Sequence, residues 1–430
     1  MGHLVGGQER FCGAGLSERL RSRGFGPVLA RLVLVATLSA GPASAQDLRE
    51  GELPIAFPRP LIAHRRAGQE LLPAKFPTLD ELAPRLADDT PRAVLFFKLH
   101  EDEHNHYAPR FAPDASALAF LRADINRRTA KIRVLEFGAN GTPSTVLEQF
   151  PDSYDYMFAW GPTRPSPLAA FASQAEASGD MNAYLWSRGK TRRITAGTAI
   201  VKHPDFHPTE PWLLLETRGQ VGVVDLGRDP EADGPPLAVA PIAAGSQPMW
   251  APDGKTFVYA REVGRLADRA MFEISVRTHP FGRERRVYKA APTELVRNPA
   301  WSADGRHVAF YAKADDALAW RLVLAEAETG KVVATADDVV VEHHFDDTDP
   351  AWSPGADRVW FFAGTDQREG YYRIHWLGTD GRRGAIDYSD EFTTATDLAA
   401  PRPVDSLAQL AFVATERLSQ GVYLVVLNHW

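Results

Sequence analysis

Short apolar runs alternate with turn sequences along most of this chain, and three of these units are closely similar. In each unit a Pro-x-Trp segment precedes a polar turn and then a β-prone run, at residues 257–260, 308–311 and 359–362. The turns carry Pro, Asp and Gly, which fix φ, bond back to the backbone and adopt positive φ. Each unit therefore predicts a β-hairpin whose second strand is the apolar run.

The hairpin unit recurs at a regular spacing. Trp250, Trp301 and Trp352 are each separated by 51 residues, and weaker copies lie upstream and downstream. The anchor positions of the whole series are residues 111, 160, 206, 250, 301, 352 and about 403. A β-rich repeat of this length indicates a β-propeller, because a four-stranded blade buries both of its faces only by packing between neighbours.

The predicted fold is thus all-β, a propeller of seven four-stranded blades with large Trp side chains wedged between adjacent blades. Six blades is the alternative, if the copy around Trp160 is an insertion. The chain finishes on 422–427, the third strand of its last unit, whereas the strand-like segment 93–99 precedes the first anchor. We expect this N-terminal strand to complete the last blade and close the ring.

The first 45 residues have a different character. Five Arg precede a short apolar run at 32–40, and small residues follow, ending in Ala43-Ser44-Ala45. This order is typical of a secretory signal peptide, and it predicts a periplasmic or secreted protein cleaved after Ala45. Residues 46–92 then form an N-terminal extension with one short helix over 78–87, and residues 93–430 form the propeller. No later apolar run is long enough to predict a membrane-spanning helix.

Charge and cysteine content narrow the partners. The chain has 430 residues and a net charge of −7. Loss of residues 1–45 removes five Arg and two Glu, which changes the net charge to −10. An acidic chain is not expected to bind nucleic acid, since such proteins carry a basic face. The single cysteine, Cys12, lies in the predicted signal peptide, so we expect neither disulfides nor a cysteine-based zinc site.

The repeat also carries a family resemblance. The hairpin at 299–305, Pro-Ala-Trp-Ser-Ala-Asp-Gly, resembles the repeat of TolB-type β-propellers, as do the units at Trp250 and Trp352. The resemblance covers about residues 93–430 and does not extend to the α/β domain that precedes the propeller in TolB. It implies a periplasmic propeller that binds an envelope protein or another ligand through one face.

Histidine and acidic residues gather near several anchors. We expect these segments to lie in the links between an outer strand and the next inner strand, around one mouth of the central channel. Imidazole and carboxylate groups meeting there would suit a divalent cation such as zinc, manganese or calcium. The candidate metal ligands are His203, His207, His343, His344 and Asp349. The candidates for a ligand-binding face are His100, His104, His106, Asp346 and Asp347. The alternative is that these acidic segments are solvated links.

Two functions follow from these observations. The favoured one is a non-enzymatic binding or scaffold protein, since the sequence has no Gly-x-Ser-x-Gly elbow, Walker A motif or dinucleotide-binding glycine pattern. The alternative is a metal-dependent carbohydrate lyase or hydrolase at the channel mouth. Residues 203–211 are similar to a blade motif of oligogalacturonate lyases, propellers with a His-ligated metal, and this resemblance implies that His203 and His344 are ligands.

Overall fold

The computed structural model describes most of the chain from residue 91 to residue 427 and two short segments before it. The described residues are 62–66, 69–70, 91, 93–102, 104–124, 129–136, 145–146, 153–162, 168–174, 180–187, 190–195, 200–227, 234–266, 269–279, 282–341, 349–366, 371–386, 392–400, 408–416 and 419–427. The predicted signal peptide and the helix expected over 78–87 lie outside these ranges.

Thirty strands account for the regular structure of the described residues, and most of them form seven consecutive blades. Three strands precede the repeats: β1 (Ile62–Arg66), β2 (Gln69–Glu70) and β3 (Ala93–Glu101). Blade one contains β4 (Asn105–Phe111), β5 (Ala117–Asp124), β6 (Thr129–Glu136) and β7 (Thr145–Val146). Blade two contains β8 (Tyr154–Trp160), β9 (Leu168–Gln174), β10 (Asn182–Ser187) and β11 (Lys190–Arg193). Blade three contains β12 (Val201–Phe206), β13 (Trp212–Thr217), β14 (Gln220–Asp225) and β15 (Ala240–Ala244).

The second half of the ring repeats this plan. Blade four contains β16 (Ser246–Trp250), β17 (Thr256–Leu266), β18 (Arg269–Thr278) and β19 (Glu284–Lys289). Blade five contains β20 (Glu294–Trp301), β21 (His307–Ala314), β22 (Trp320–Glu326) and β23 (Val332–Val340). Blade six contains β24 (Ala351–Trp352), β25 (Arg358–Asp366), β26 (Tyr371–Gly378) and β27 (Arg383–Ala385). Blade seven contains β28 (Phe392–Ala399), β29 (Gln409–Glu416) and β30 (Ser419–Leu427).

The two ends of the described chain meet in blade seven. Strand β3 pairs antiparallel with β30, from the Ala93–Leu427 pair to the Glu101–Gly421 pair, and it supplies the fourth strand of this blade. Strand β1 adds to β3 in parallel. The predicted closure by an N-terminal strand is therefore confirmed. Seven blades are also confirmed over six, because β8 to β11 form a complete antiparallel blade around Trp160.

The inner strands share a β-bulge that the sequence pattern did not reveal. Six non-glycine residues adopt a left-handed φ of 36° to 53°, and each lies three positions before an anchor: Ala108, Met157, His203, Gln247, Asn298 and Asp397. The strand register shifts at each of these bulges. Positive φ is costly for most side chains, but a bulge redirects the strand that carries it. The repeated bulge thus gives six of the seven inner strands one common shape.

The anchor side chains pack between their own blade and the preceding one. The buried aromatic anchors are Phe111, Trp160, Phe206, Trp250, Trp301 and Trp352. Trp352, for example, lies in a cluster with Ala309, Tyr311 and Leu322 of blade five. An aromatic ring buries about 150–250 Å², which corresponds to about 4–6 kcal/mol. The wedge role predicted for these residues is therefore confirmed.

The seventh anchor departs from the pattern. The bulge at Asp397 places the equivalent position at Ala400, three residues before the position expected from the sequence. A small residue thus occurs where six blades have an aromatic ring.

Within the described residues, no helix is long and apolar enough to cross a membrane.

Candidate functional site

The inner strands surround a central channel of about 400 Å³. The residue before each anchor lines this channel, and the seven are Arg110, Ala159, Asp205, Met249, Ala300, Ala351 and Ala399. Four of them are alanines, so much of the wall is backbone and methyl groups. The hairpin turns contribute further apolar residues at one mouth, including Pro113, Pro208 and Pro252.

The charged side chains of the channel form ion pairs or hydrogen bonds with residues of other blades. Arg110 of blade one forms an ion pair with Asp349 of blade six, with 2.9 Å between Nη2 and Oδ2. Asp205 accepts a hydrogen bond of 2.6 Å from the backbone N–H of Trp250 in the next blade. Asp397 likewise accepts a bond of 3.0 Å from the N–H of Ala108. The two backbone hydrogen bonds join neighbouring blades, whereas the Arg110–Asp349 ion pair joins blades one and six, on either side of blade seven.

The channel is electronegative. Among the lining residues that the structure describes, Arg110 is the one cation, whereas Asp205, Asp349 and Asp397 are carboxylates. The same field reaches the Tyr311 hydroxyl. Burial, together with the charges of Asp349 and Asp397, raises the pKa of Tyr311 above its usual range. A cationic or neutral ligand therefore suits this channel better than a polyanion.

His203 lies at the bulge of β12, on the inner strand itself. The expectation that it lies in the link before this strand is wrong, because the strand begins at Val201. Its Nε2 is 3.5 Å from Oε2 of Glu216. Burial lowers the pKa of His203 to about 3, helped by the positive charges of Lys202, Arg110 and Arg297. The imidazole is therefore neutral at physiological pH.

His207 stabilises a hairpin turn through both ring nitrogens. It follows the inner strand and does not lie in the link before it, which corrects the same expectation. Nδ1 accepts hydrogen bonds from the backbone N–H groups of Thr209 and Glu210, and Nε2 is 2.8 Å from the carbonyl oxygen of Gly254. The ring packs edge-on against Trp212 and Trp250.

Of the other predicted metal ligands, Asp349 lies within the described residues. Asp349 is on the channel wall, paired with Arg110. His343, His344, Asp346 and Asp347 lie outside the described residues. Of the described histidine, cysteine and acidic side chains, three have ligand atoms within 4.8 Å of one another: His100 and His106, which belong to the predicted ligand-binding face, and Asp102, which was not predicted.

The β3–β4 cluster, as we call His100, Asp102 and His106, lies where blade seven meets blade one. His100 is at the end of β3, Asp102 follows it, and His106 is the second residue of β4. Nε2 of His100 is 3.3 Å from Oδ2 of Asp102, and Nε2 of His106 is 3.5 Å from Oδ1. The imidazole rings of the two histidines meet edge to face, with centroids 5.1 Å apart.

His106 is the most buried member of the β3–β4 cluster. Its side chain has no exposed surface, and neither ring nitrogen has a hydrogen-bond partner among the described residues. Burial lowers its pKa to about 3, and the neighbouring His100 contributes. Phe120 packs against both imidazole rings, with centroid distances of 5.3 Å and 5.5 Å.

Asp102 is held in place by its surroundings. The backbone N–H of His104 donates to Oδ1 at 2.9 Å, and Nε of Arg122 donates to Oδ2. Partial burial raises the pKa of this carboxyl, but the hydrogen bonds from His100 and Arg122 outweigh burial and hold it well below the usual range. Asp102 is therefore an anion.

Sequence reasoning found the three histidines of this region but missed Asp102 and Arg122. His100, Asp102, His104 and His106 occupy every second position in the sequence. This spacing was the signal that could have placed Asp102 with the histidines. Arg122 belongs to the facing strand β5, paired with His106, and only the strand register brings it near. His104 also contacts Asp124, with Nε2 3.6 Å from Oδ2.

No family model matches the sequence, and no curated protein is significantly similar to it. The structure is similar to many solved structures. An oligogalacturonate lyase from Vibrio parahaemolyticus is 14% identical, with 79% of this chain and 94% of that chain covered and a TM-score of 0.53. A second oligogalacturonate lyase, in complex with manganese, is 12% identical with a TM-score of 0.52.

Two further structures align over a smaller part of their own length. A puromycin-hydrolyzing peptidase from Mycobacterium tuberculosis is 14% identical, with 73% of this chain and 49% of that chain covered and a TM-score of 0.54. TolB from Acinetobacter baumannii is 16% identical, with 65% of each chain covered and a TM-score of 0.45. At these identities the similarity concerns the fold, and the fold of this chain is a β-propeller.

Proposed function

We propose that this chain is an exported, periplasmic β-propeller that binds a segment of an envelope protein in its central channel. The observation that carries the proposal is the channel itself, about 400 Å³ in volume and walled by all seven inner strands. Concave, mostly apolar spaces of this size with a few placed polar groups are the usual form of a ligand site.

The shape of the wall favours an extended polypeptide segment. Alanines at four of the seven channel-facing positions leave room for side chains of a partner. Met249 is an adaptable residue that accommodates varied apolar groups. The carboxylates of the channel already hold contacts with other blades, which gives them a role in maintaining the wall.

Charge favours a partner segment with positive side chains. The described lining carries three carboxylates and one arginine, and Arg110 is paired with Asp349. A chain with a net charge of −7 adds a long-range field of the same sign. An oligogalacturonate is a polyanion and would enter this channel against that field.

The alternative, a metal-dependent carbohydrate lyase, rests on the similarity to an oligogalacturonate lyase in complex with manganese. In that interpretation His203 would be a ligand. Its Nε2 is close to the carboxylate of Glu216, however, and no second described imidazole lies near enough to these two groups to share a metal ion with them. We therefore place the binding function first.

A photo-crosslinking amino acid at Ala399 tests the proposal in cells. Ala399 lines the channel and is partly exposed, whereas the control position, Ala291, is exposed on the turn before β20. We expect a covalent complex with one envelope protein from position 399 and none from position 291. Equal crosslinking from both positions, or none from 399, contradicts the proposal.

The purified protein tests the alternative directly. It is incubated with oligogalacturonate and manganese, and the ultraviolet absorbance of the unsaturated product of β-elimination is followed. We expect no product above the protein-free control. Product formation that is lost in His203→Asn would replace the binding function with the lyase.

A further inference from the structure

We propose that the β3–β4 cluster binds one divalent metal ion of the zinc class through His100, Asp102 and His106. This site lies at the junction of blades seven and one and goes beyond the proposed channel function. The ion would join β3, the closing strand, to β4, the first inner strand, at the point where the ring is completed.

The spacing of the donor atoms fits a tetrahedral ion. Bonds of about 2.1 Å to imidazole nitrogen and carboxylate oxygen place neighbouring ligand atoms about 3.4 Å apart in a tetrahedron. The Nε2 atom of His100 is 3.3 Å from Oδ2 of Asp102, and the Nε2 atom of His106 is 3.5 Å from Oδ1, the other carboxylate oxygen. One ligand atom from each of the three residues lies within 4.8 Å of the others. Only small side-chain movements are needed for coordination.

His106 gives an independent indication of a ligand. A buried polar group without a partner costs about 1–3 kcal/mol, so native proteins rarely keep one without a reason. The His106 side chain has no exposed surface, and no described residue bonds to its ring nitrogens. Its Nε2 points at Asp102, the anionic member of the cluster. A metal ion on Nε2 would satisfy that atom.

The surroundings also hold the carboxylate as a ligand requires. Metal-binding side chains are commonly oriented by hydrogen bonds from a second layer of residues. The N–H of His104 and the guanidinium of Arg122 bind Asp102, one on each carboxylate oxygen. The positive charge of Arg122 opposes a cation. Asp124, 3.6 Å from His104, makes the local sum of Asp102, Asp124 and Arg122 negative.

The ligand types select the ion. Two imidazoles and one carboxylate with an open fourth position form a zinc-type set. Calcium prefers six to eight oxygen ligands, so the two imidazoles do not suit it. The open position would be filled by water or by a donor group of a ligand.

Metal content and zinc titration of the purified full chain test the site. We expect one zinc per chain after purification without chelator, and a higher thermal midpoint when zinc is added back to the chelator-treated protein. His106→Phe should abolish stoichiometric zinc while keeping the fold, since Phe fills a similar volume beside Phe120. His307→Gln, at a half-buried histidine of blade five, is the matched control and should retain the ion.

A second variant separates a metal site from a simple hydrogen-bond network. Arg122→Gln keeps an N–H donor for Asp102 but removes the opposing charge, and we expect zinc to bind about tenfold more tightly. Cobalt in place of zinc should give the visible absorption of a tetrahedral ion in both the parent and Arg122→Gln.

Three outcomes would overturn the proposal. They are the absence of zinc and of any zinc-induced midpoint shift in the parent chain, zinc retained at full stoichiometry in His106→Phe, and unchanged or weaker zinc binding in Arg122→Gln. Stoichiometric binding of manganese but not of zinc would overturn the assignment of the ion.

Discussion

The gap between blades five and six and the gap between blades six and seven are each filled by a tryptophan. In the first gap it comes from the following blade, and in the second from the preceding blade. In the first, Trp352 of blade six inserts against Ala309 of blade five. In the second, the anchor position of blade seven is Ala400, and Trp360 of blade six fills the gap from the other side. Large and small residues have exchanged places across the interface.

Strand register shows that Trp360 is unusual at its position. It pairs across the hairpin with Ala351, the channel-facing residue of its blade. The equivalent residues in the other blades are smaller: Ala119, Ala170, Leu214, Val258, Ala309 and Ala411. The space between two blades must therefore be filled, but the large side chain can come from either of the two blades, as expected for a densely packed interior.

Hydrogen bonding differs between the two wedges. Nε1 of Trp352 donates to the carbonyl oxygen of Ala300 at 3.1 Å, and Nε1 of Trp160 donates in the same way to Arg110. Nε1 of Trp360 has no partner among the residues that the structure describes. Packing, rather than the indole hydrogen bond, is thus the common property of these side chains.

The largest expected effect is the loss of Trp360. Trp360→Ala should lower the free energy of unfolding by about 3–5 kcal/mol, because a fully buried ring leaves a cavity. Urea-induced unfolding measures this loss. Trp376→Ala is the control in the same cluster, where the side chain is partly exposed, and it should cost less than half as much. Equal losses would contradict the wedge role of Trp360.

The exchange can be reversed with a second substitution. Ala400→Trp alone should cost about 1–3 kcal/mol, since Trp360 already fills the space. In the Trp360→Ala background the same change should recover at least about 1 kcal/mol. A double-mutant cycle measures this coupling, and additivity within about 0.5 kcal/mol would show that the two positions do not share one space.

A smaller effect on folding stability is expected at the β-bulges, which have the same backbone conformation in several blades. His203 occupies the bulge position that is Gln247 in blade four and Asn298 in blade five. Burial holds its pKa at about 3 in the folded chain, against 6.5 for an exposed histidine. Between these values the unfolded chain binds a proton that the folded chain does not, so folding stability falls as pH decreases.

His203→Asn should remove this pH dependence. The parent chain should lose up to about 2 kcal/mol more than the variant between pH 7 and pH 5. Asn tolerates a left-handed φ, as Asn298 shows with φ of 50°, so the bulge is kept. Gln247→Asn at the equivalent position of blade four is the control and should follow the parent. Parallel pH profiles for the parent and His203→Asn would show that Glu216, 3.5 Å away, cancels the effect of burial.

The architecture could be predicted because it depends on local signals that repeat. Trp250, Trp301 and Trp352 share both a spacing and a turn sequence, and a strand at each end of the ring was missing its partner. The seventh anchor was predicted near Pro403, three residues too late, because Ala400 lacks the aromatic ring that marks the other six anchors; its aromatic volume comes from another blade.

The candidate site was less predictable because side-chain direction depends on the bulge. The sequence placed His203 and His207 together, yet one faces Glu216 from a bulge and the other is bonded to Gly254. His100 and His106 could be selected as candidates, but their meeting with Asp102 depends on how β3 turns into β4. A sequence repeat predicts where the strands lie, but it does not predict the bulges and turns that orient these side chains.

The pairing of β3 with β30 also determines when the ring can close. Ala93 pairs with Leu427, so the first strand of the propeller to leave the ribosome meets the last one. Contacts at such a sequence separation carry a high entropic cost and form slowly. Six blades can stack as they are synthesised, but the seventh is incomplete until β30 is made, and until then β3 presents an unpaired edge to any other extended chain.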